Sequence, residues 1–159
     1  MTLKIKNDNI YYYEQICYFL EKGDFNMYRM KPEYCTGVDF IDKEHTRLFE
    51  LADETYELLH DSFLEYKTDR IISLVSELID YTRTHFTHEE AYQKSIAYPY
   101  IAEHAAQHRQ FEDSLAEIDL DSLSDDFEAQ NETIENILEF LINWLINHIL
   151  KVDMLLVGK

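Results

Sequence analysis

A chain of 159 residues has room for one domain of ordinary size, and 46% hydrophobic residues suffice to give it a core. Its 32 Asp and Glu against 14 Lys and Arg leave a formal net charge of -18, which argues against nucleic acid and anionic membrane as partners and provides a solvated, soluble surface. Three Gly and two Pro in stretches rich in Glu, Leu, Ile and Tyr favour long helices over short strands, so the expected class is all-α.

Met1 to Asn9 is polar and mixed in charge, without the apolar centre of a signal peptide, and no run approaches the length expected of a bilayer span. A cytoplasmic protein is expected. Cys17 and Cys35 are too few for a disulfide framework and lack zinc-knuckle spacing, so both read as small, apolar, partly buried residues. Residues 9–22 place Ile10, Tyr13, Cys17 and Leu20 at a three-to-four residue rhythm, which predicts a short amphipathic helix ending near Gly23. Residues 24–41 read as irregular, punctuated by Pro32 and Gly37.

Four longer helical patterns follow. The first runs from about Asp42, taken as its N-cap, to about Ser62, with His45, Leu48, Phe49, Ala52, Tyr56 and Leu59 on one face. The second runs from about Asp69 to Lys94 and aligns Ile71, Leu74, Val75, Leu78, Thr82, His85 and Glu89. After Pro99, a third from about Tyr100 to Ile118 aligns Ile101, His104, His108, Phe111 and Leu115. An acidic connection over 119–130 lacks the Gly of a calcium loop and reads as solvated. The fourth, from about Asn131 to Leu156, aligns Ile134, Ile137, Leu138, Leu141, Leu145 and His148, with Trp144 beside them. Four amphipathic helices with short connections predict an up-down-up-down antiparallel four-helix bundle.

Histidine is out of place on faces meant for a bundle core, because an imidazole buried without a partner costs a few kcal/mol. Here His45, His85-x3-Glu89, His104-x3-His108 and His148 all sit on apolar faces, one group per helix. Residues four apart lie only about 40° apart around a helix, so His104 with His108, and His85 with Glu89, can each grip one metal. Asp153 does not follow from this geometry, since five residues place it about 140° from His148 on a regular helix. The imidazole-rich set disfavours calcium and magnesium, which prefer oxygen ligands. Glu57-x2-His60 is the single Glu-x-x-His, a poor match to ferritin-like carboxylate sites that use this motif twice. His60 and His88 read as surface or helix-end residues.

Thr36–His45 (TGVDFIDKEH), Tyr81–Glu90 (YTRTHFTHEE), His104–His108 (HAAQH) and Trp144–Asp153 (WLINHILKVD) together resemble the bacterial hemerythrin pattern, in order and complete. The resemblance covers about residues 36–157 and divides the chain into an N-terminal extension, 1–35, containing the short helix, and a bundle, 36–159. It implies one iron held by His104, His108 and His148 and a second by His45 and His85. Glu89, Asp153 and a solvent-derived oxygen would bridge the two. So arranged, the second iron is one ligand short of six, room for a small molecule such as O2. Leu48, Phe86, Trp144 and Leu145 are the implied apolar walls of that O2 pocket. Met30 stands where such proteins commonly carry an aromatic residue, and Leu156 where some carry Tyr. The function implied is reversible O2 binding for storage, delivery or sensing, by a monomer or weak homodimer. The alternative is a di-iron redox enzyme reducing peroxide or nitric oxide.

Overall fold

The computed structural model describes residues 28–61, 63, 67–118 and 127–157. The expected helix over 9–22, Cys17, and residues 119–126 of the acidic connection lie outside them. Four helices form the body: α1 (Asp39–His60), α2 (Thr68–Ser95), α3 (Ile101–Ala116) and α4 (Phe127–Lys151). A 3-10 turn at Pro32–Tyr34 precedes them, and a second at Asp153–Val157 follows. With connections this short, successive helices run antiparallel. α1 packs against both α2 and α4, and α2 against α3. The ring closes through side chains, with Phe111 of α3 stacked on Phe140 of α4 at 5.0 Å between centroids. The all-α four-helix bundle expected from periodicity is the fold.

The apolar stripes meet in one core that includes Leu48, Leu51, Ile71, Leu78, Phe111, Leu115, Ile134, Leu141 and Leu145, each at most 1% exposed. Tyr34, on the extension side of the expected division, belongs to it: its ring is buried and stacks on Phe49 at 5.4 Å. Met30 packs against the same core. Cys35 is half-buried with a free thiol.

Three local expectations require correction. Asp42 is not the N-cap of α1, which starts three residues earlier with Val38 as its cap. Its carboxylate instead reaches back, accepting from the Thr36 amide and hydroxyl at 2.7 and 2.8 Å and from the Gly37 amide at 2.9 Å. Gly37 has φ of 88°, a left-handed conformation that glycine adopts without steric cost, and so the chain can fold back onto Asp42. α4 starts at Phe127, inside the segment expected to be loop, and ends at Lys151, short of Leu156. The third correction concerns length: Glu128–Val157 is long and apolar enough to cross a membrane by length and composition. Here that hydrophobicity has another use, because Ile134, Ile137, Leu138, Leu141, Ile142 and Leu145 are buried against the other helices.

Helix α2 ends in a Schellman arrangement, with the Tyr98 amide donating to Gln93 O at 2.9 Å and the Ala97 amide to Lys94 O at 3.2 Å. The left-handed residue is Ala97, with φ of 51°, where glycine is usual. This turn fixes where α2 hands over to α3, and both helices deliver candidate ligands.

Candidate metal centre

All seven residues picked from the sequence are buried at one end of the bundle: His45 on α1, His85 and Glu89 on α2, His104 and His108 on α3, His148 on α4, and Asp153 in the closing turn. None is more than 3% exposed. The Nε2 of His148 lies 2.9 Å from that of His104 and 3.1 Å from that of His108. Glu89 Oε2 is 3.3 Å from His104 Nε2 and 3.2 Å from His108 Nε2. Asp153 spans the two halves, with Oδ1 at 3.0 Å from His148 Nε2 and 3.2 Å from His104 Nε2, and Oδ2 at 3.1 Å from His45 Nε2. The rings of His45 and His85 meet edge to face at 5.0 Å.

These spacings suit a metal. Ligands about 2.1 Å from one ion and at right angles to each other stand about 3 Å apart. They do not suit hydrogen bonding: both oxygens of Glu89, both of Asp153 and the Nε2 of His45 are buried without a hydrogen-bond partner despite their short separations. Buried polar atoms are rarely left so, and five at one point need a shared cation. Glu89, His104, His108 and His148 in particular offer ligand atoms all within 4.8 Å of one another.

Electrostatics say the same. Burial alone would raise the carboxyl of Asp153, yet the charge of His148 and contacts to His104, His148 and His45 hold it well below the usual carboxylate range. Glu89 is likewise pulled down to about 2, against burial and the neighbouring Asp153, by His104, His108 and His85. Burial opposes a charge on His104, but its contacts to Asp153 and Glu89 raise it from 6.5 to about 9. His108 moves the other way, lowered chiefly by burial. Two carboxylates thus stay ionised in the interior and draw positive charge to themselves.

A change of helix type aims Asp153. α4 runs regularly through the Val152 amide, which donates to His148 O at 2.8 Å, and then tightens, with the Leu155 amide donating to Val152 O at 3.0 Å. The tighter winding turns the carboxylate inward beside His148, a direction the regular helix would not give it.

Sequence spacing missed the groups that orient the imidazoles. Glu44 Oε2 accepts from His85 Nδ1 at 2.9 Å, and its Oε1 accepts from His88 Nδ1 at 2.6 Å. His88 is therefore exposed, as expected, but tied to the centre through a carboxylate. Glu90 Oε1 stands 3.3 Å from His108 Nδ1. Gln93 meets His104 Nδ1 at 2.8 Å through its amide nitrogen, while its carbonyl oxygen is buried without a partner. With the amide flipped, its carbonyl oxygen accepts from His104 Nδ1–H, leaving Nε2 for the centre. A legible signal existed for Gln93: it continues the His85, Glu89 series at four-residue steps. Glu44 offered none, being 41 residues from His85. His60 sits at the end of α1 with its Nδ1 2.9 Å from Tyr56 O, away from the cluster.

Of the four expected apolar walls, Leu48, Phe86 and Leu145 are at most 3% exposed. Phe86 stacks on His108 at 3.8 Å and 3°. Trp144 is half-buried and lies flat on His148 at 4.2 Å and 14°.

An antiparallel bundle with buried imidazoles and carboxylates converging from four helices and a closing turn is a histidine-rich metal-binding bundle. Residues 36–159 match the family model described as the hemerythrin HHE cation binding domain. Over 127 residues the chain is 35% identical to a bacteriohemerythrin of Clostridium acetobutylicum, covering 80% of this chain and 96% of that one. It is 31% identical over 123 residues to a bacteriohemerythrin of Methylococcus capsulatus (77% and 88% covered), and 30% over 113 residues to one of Stenotrophomonas maltophilia (71% and 68%). The chain belongs to the hemerythrin family, and that membership implies non-heme iron.

Proposed function

We propose that this protein binds O2 reversibly at a centre of two iron ions. His104, His108 and His148 hold one iron, His45 and His85 hold the other, and the carboxylates of Glu89 and Asp153 bridge them. The observation that carries this reading is the cluster of orphaned donors: the four carboxylate oxygens of Glu89 and Asp153 and the Nε2 of His45 converge, buried, without hydrogen-bond partners. Unequal imidazole supply, three against two, leaves the His45 and His85 side one position short. When bound, the iron pair supplies two electrons and that open position, the requirements for taking up O2 and giving it back.

The chain's own residues set the conditions. Leu48, Phe86 and Leu145 keep water from the buried centre. Glu44, Gln93 and Glu90 hold the Nδ1 sides of His85, His104 and His108, so that each presents Nε2. The test is an absorption spectrum of the anaerobically reduced, iron-loaded protein, taken before exposure to air, after it, and again once O2 is removed. Recovery of the starting spectrum with two irons per chain is expected. A spectrum that stays oxidised marks a redox enzyme instead, and one zinc without iron after expression in ample iron would sink the assignment.

A further inference from the structure

A pocket of about 180 Å³ opens between α3 and α4, lined by Gln107, Trp144, Asn147, His148, Lys151 and Val152. It is smaller than the pockets that enclose drug-sized ligands, roughly 300 Å³ and more, so it can take the edge of a molecule but not surround one. Its floor is unusual. His148, a proposed iron ligand, lines it directly, and so does Trp144, whose ring lies flat against that imidazole at 4.2 Å. Trp144 also lies 5.6 Å from Phe86, which stacks on His108. One half-buried indole therefore touches the surroundings of two of the three imidazoles proposed for the same iron.

The pocket also has a charge of its own. Lys151 is the one ionised lining residue; its ammonium donates to Asn147 Oδ1 at 2.6 Å, and no ion pair joins it to a carboxylate among the described residues. On a chain of net charge -18, such a point attracts anions locally where most of the surface repels them.

We infer that this pocket is the electron entry of the protein, where a small anionic donor of the reduced-flavin class makes transient edge contact with Trp144 and His148. The inference rests on the iron-pair reading above. Its use is restoring a centre oxidised to the diferric state, which cannot take up O2. Two ferric ions would accept one electron each; one reduced flavin mononucleotide gives up two electrons, releases its two protons to solvent at the pocket rim and leaves as the oxidised flavin. Contact with the ligand imidazole suffices for this exchange, so the small volume is no obstacle. Lys151 draws the donor's phosphate, while Gln107 and Asn147 offer amides at the rim.

The test uses the full-length, iron-loaded protein, oxidised and then mixed anaerobically with reduced flavin mononucleotide or with reduced methyl viologen, a cationic donor. Lys151→Glu should slow reduction by the flavin roughly tenfold, a steering-sized effect, and should not slow the viologen. Lys94→Glu, the same charge change on exposed α2 surface, should leave both rates near wild type. Trp144→Leu should slow both donors at unchanged iron content. As a readout apart from reduction, saturable quenching of oxidised flavin mononucleotide fluorescence by the protein should weaken in Lys151→Glu. Equal flavin rates and equal quenching in Lys151→Glu and Lys94→Glu would overturn the inference. That result would leave the iron-pair reading intact, since iron content and the air-reversible spectrum are measured separately on the same samples.

Discussion

Gln93 shows how much of the site depends on groups that touch no metal. Fully buried on α2, it holds His104 Nδ1 at 2.8 Å, and no other hydrogen bond to that nitrogen is present among the described residues. Orienting partners of this kind typically change metal affinity about 10- to 100-fold when lost. Gln93→Leu, similar in volume, should therefore weaken iron retention by that order against a competing chelator while leaving the helical content intact. Unchanged retention would mean that His104 is oriented by packing alone. Four residues on, Ala97 holds a conformation that costs an L-residue roughly 1 kcal/mol and costs glycine almost nothing. Ala97→Gly should accordingly raise stability by something under about 1 kcal/mol, since glycine also gains entropy in the unfolded chain. Urea unfolding of the two proteins measures it, and a lower midpoint for the glycine variant would show that the turn is not strained.

At the scale of elements, periodicity made the four helices legible because each has one apolar face and one core to bury it in. The start of α1 was not, since Asp42 resembles a cap but bonds backward to Thr36 and Gly37, a tertiary choice that no local pattern reveals. Five histidines and Glu89 could be read from their place on apolar faces. Asp153 could not, because its direction depends on α4 ending at Lys151 and tightening into a 3-10 turn; the family resemblance, not helix geometry, pointed to it. The same fact yields a prediction. Inserting one alanine between Val152 and Asp153 advances the carboxylate by a residue, about 100° around a helix, and turns it from His45, His104 and His148. The insertion lies beyond α4, so the bundle should still fold, but the protein should lose the carboxylate proposed to bridge the pair and retain less than two irons per chain. Full iron occupancy in the insertion variant would show that the closing turn does not position a ligand.

For the whole molecule, the centre sets how stability depends on pH, and iron should reverse the alkaline limb. In the metal-free bundle His104 is raised from 6.5 to about 9 by Asp153 and Glu89, which prevail over its burial. A raised imidazole contributes stability that is fully present below 6.5 and lost as pH climbs through about 9. Glu89, lowered from 4.5 to about 2, contributes above 4.5 and loses its contribution as pH falls through about 2. His108, lowered mainly by burial, also costs stability on the acid side, because the unfolded chain takes up its proton first. The metal-free protein should therefore become steadily easier to unfold between pH 6.5 and 9, as the proton that offsets two buried carboxylates departs. On the proposed ligand set iron would take over that role and compete with the proton for His104, so loading should release protons and be favoured as pH rises. Denaturant midpoints measured at pH 6.5, 7.5 and 9 should fall for the metal-free protein and hold or rise for the iron-loaded one. Parallel slopes would mean that His104 carries no proton in the empty cluster, and the positive charge beside Glu89 and Asp153 would then have to reside on another imidazole of the set.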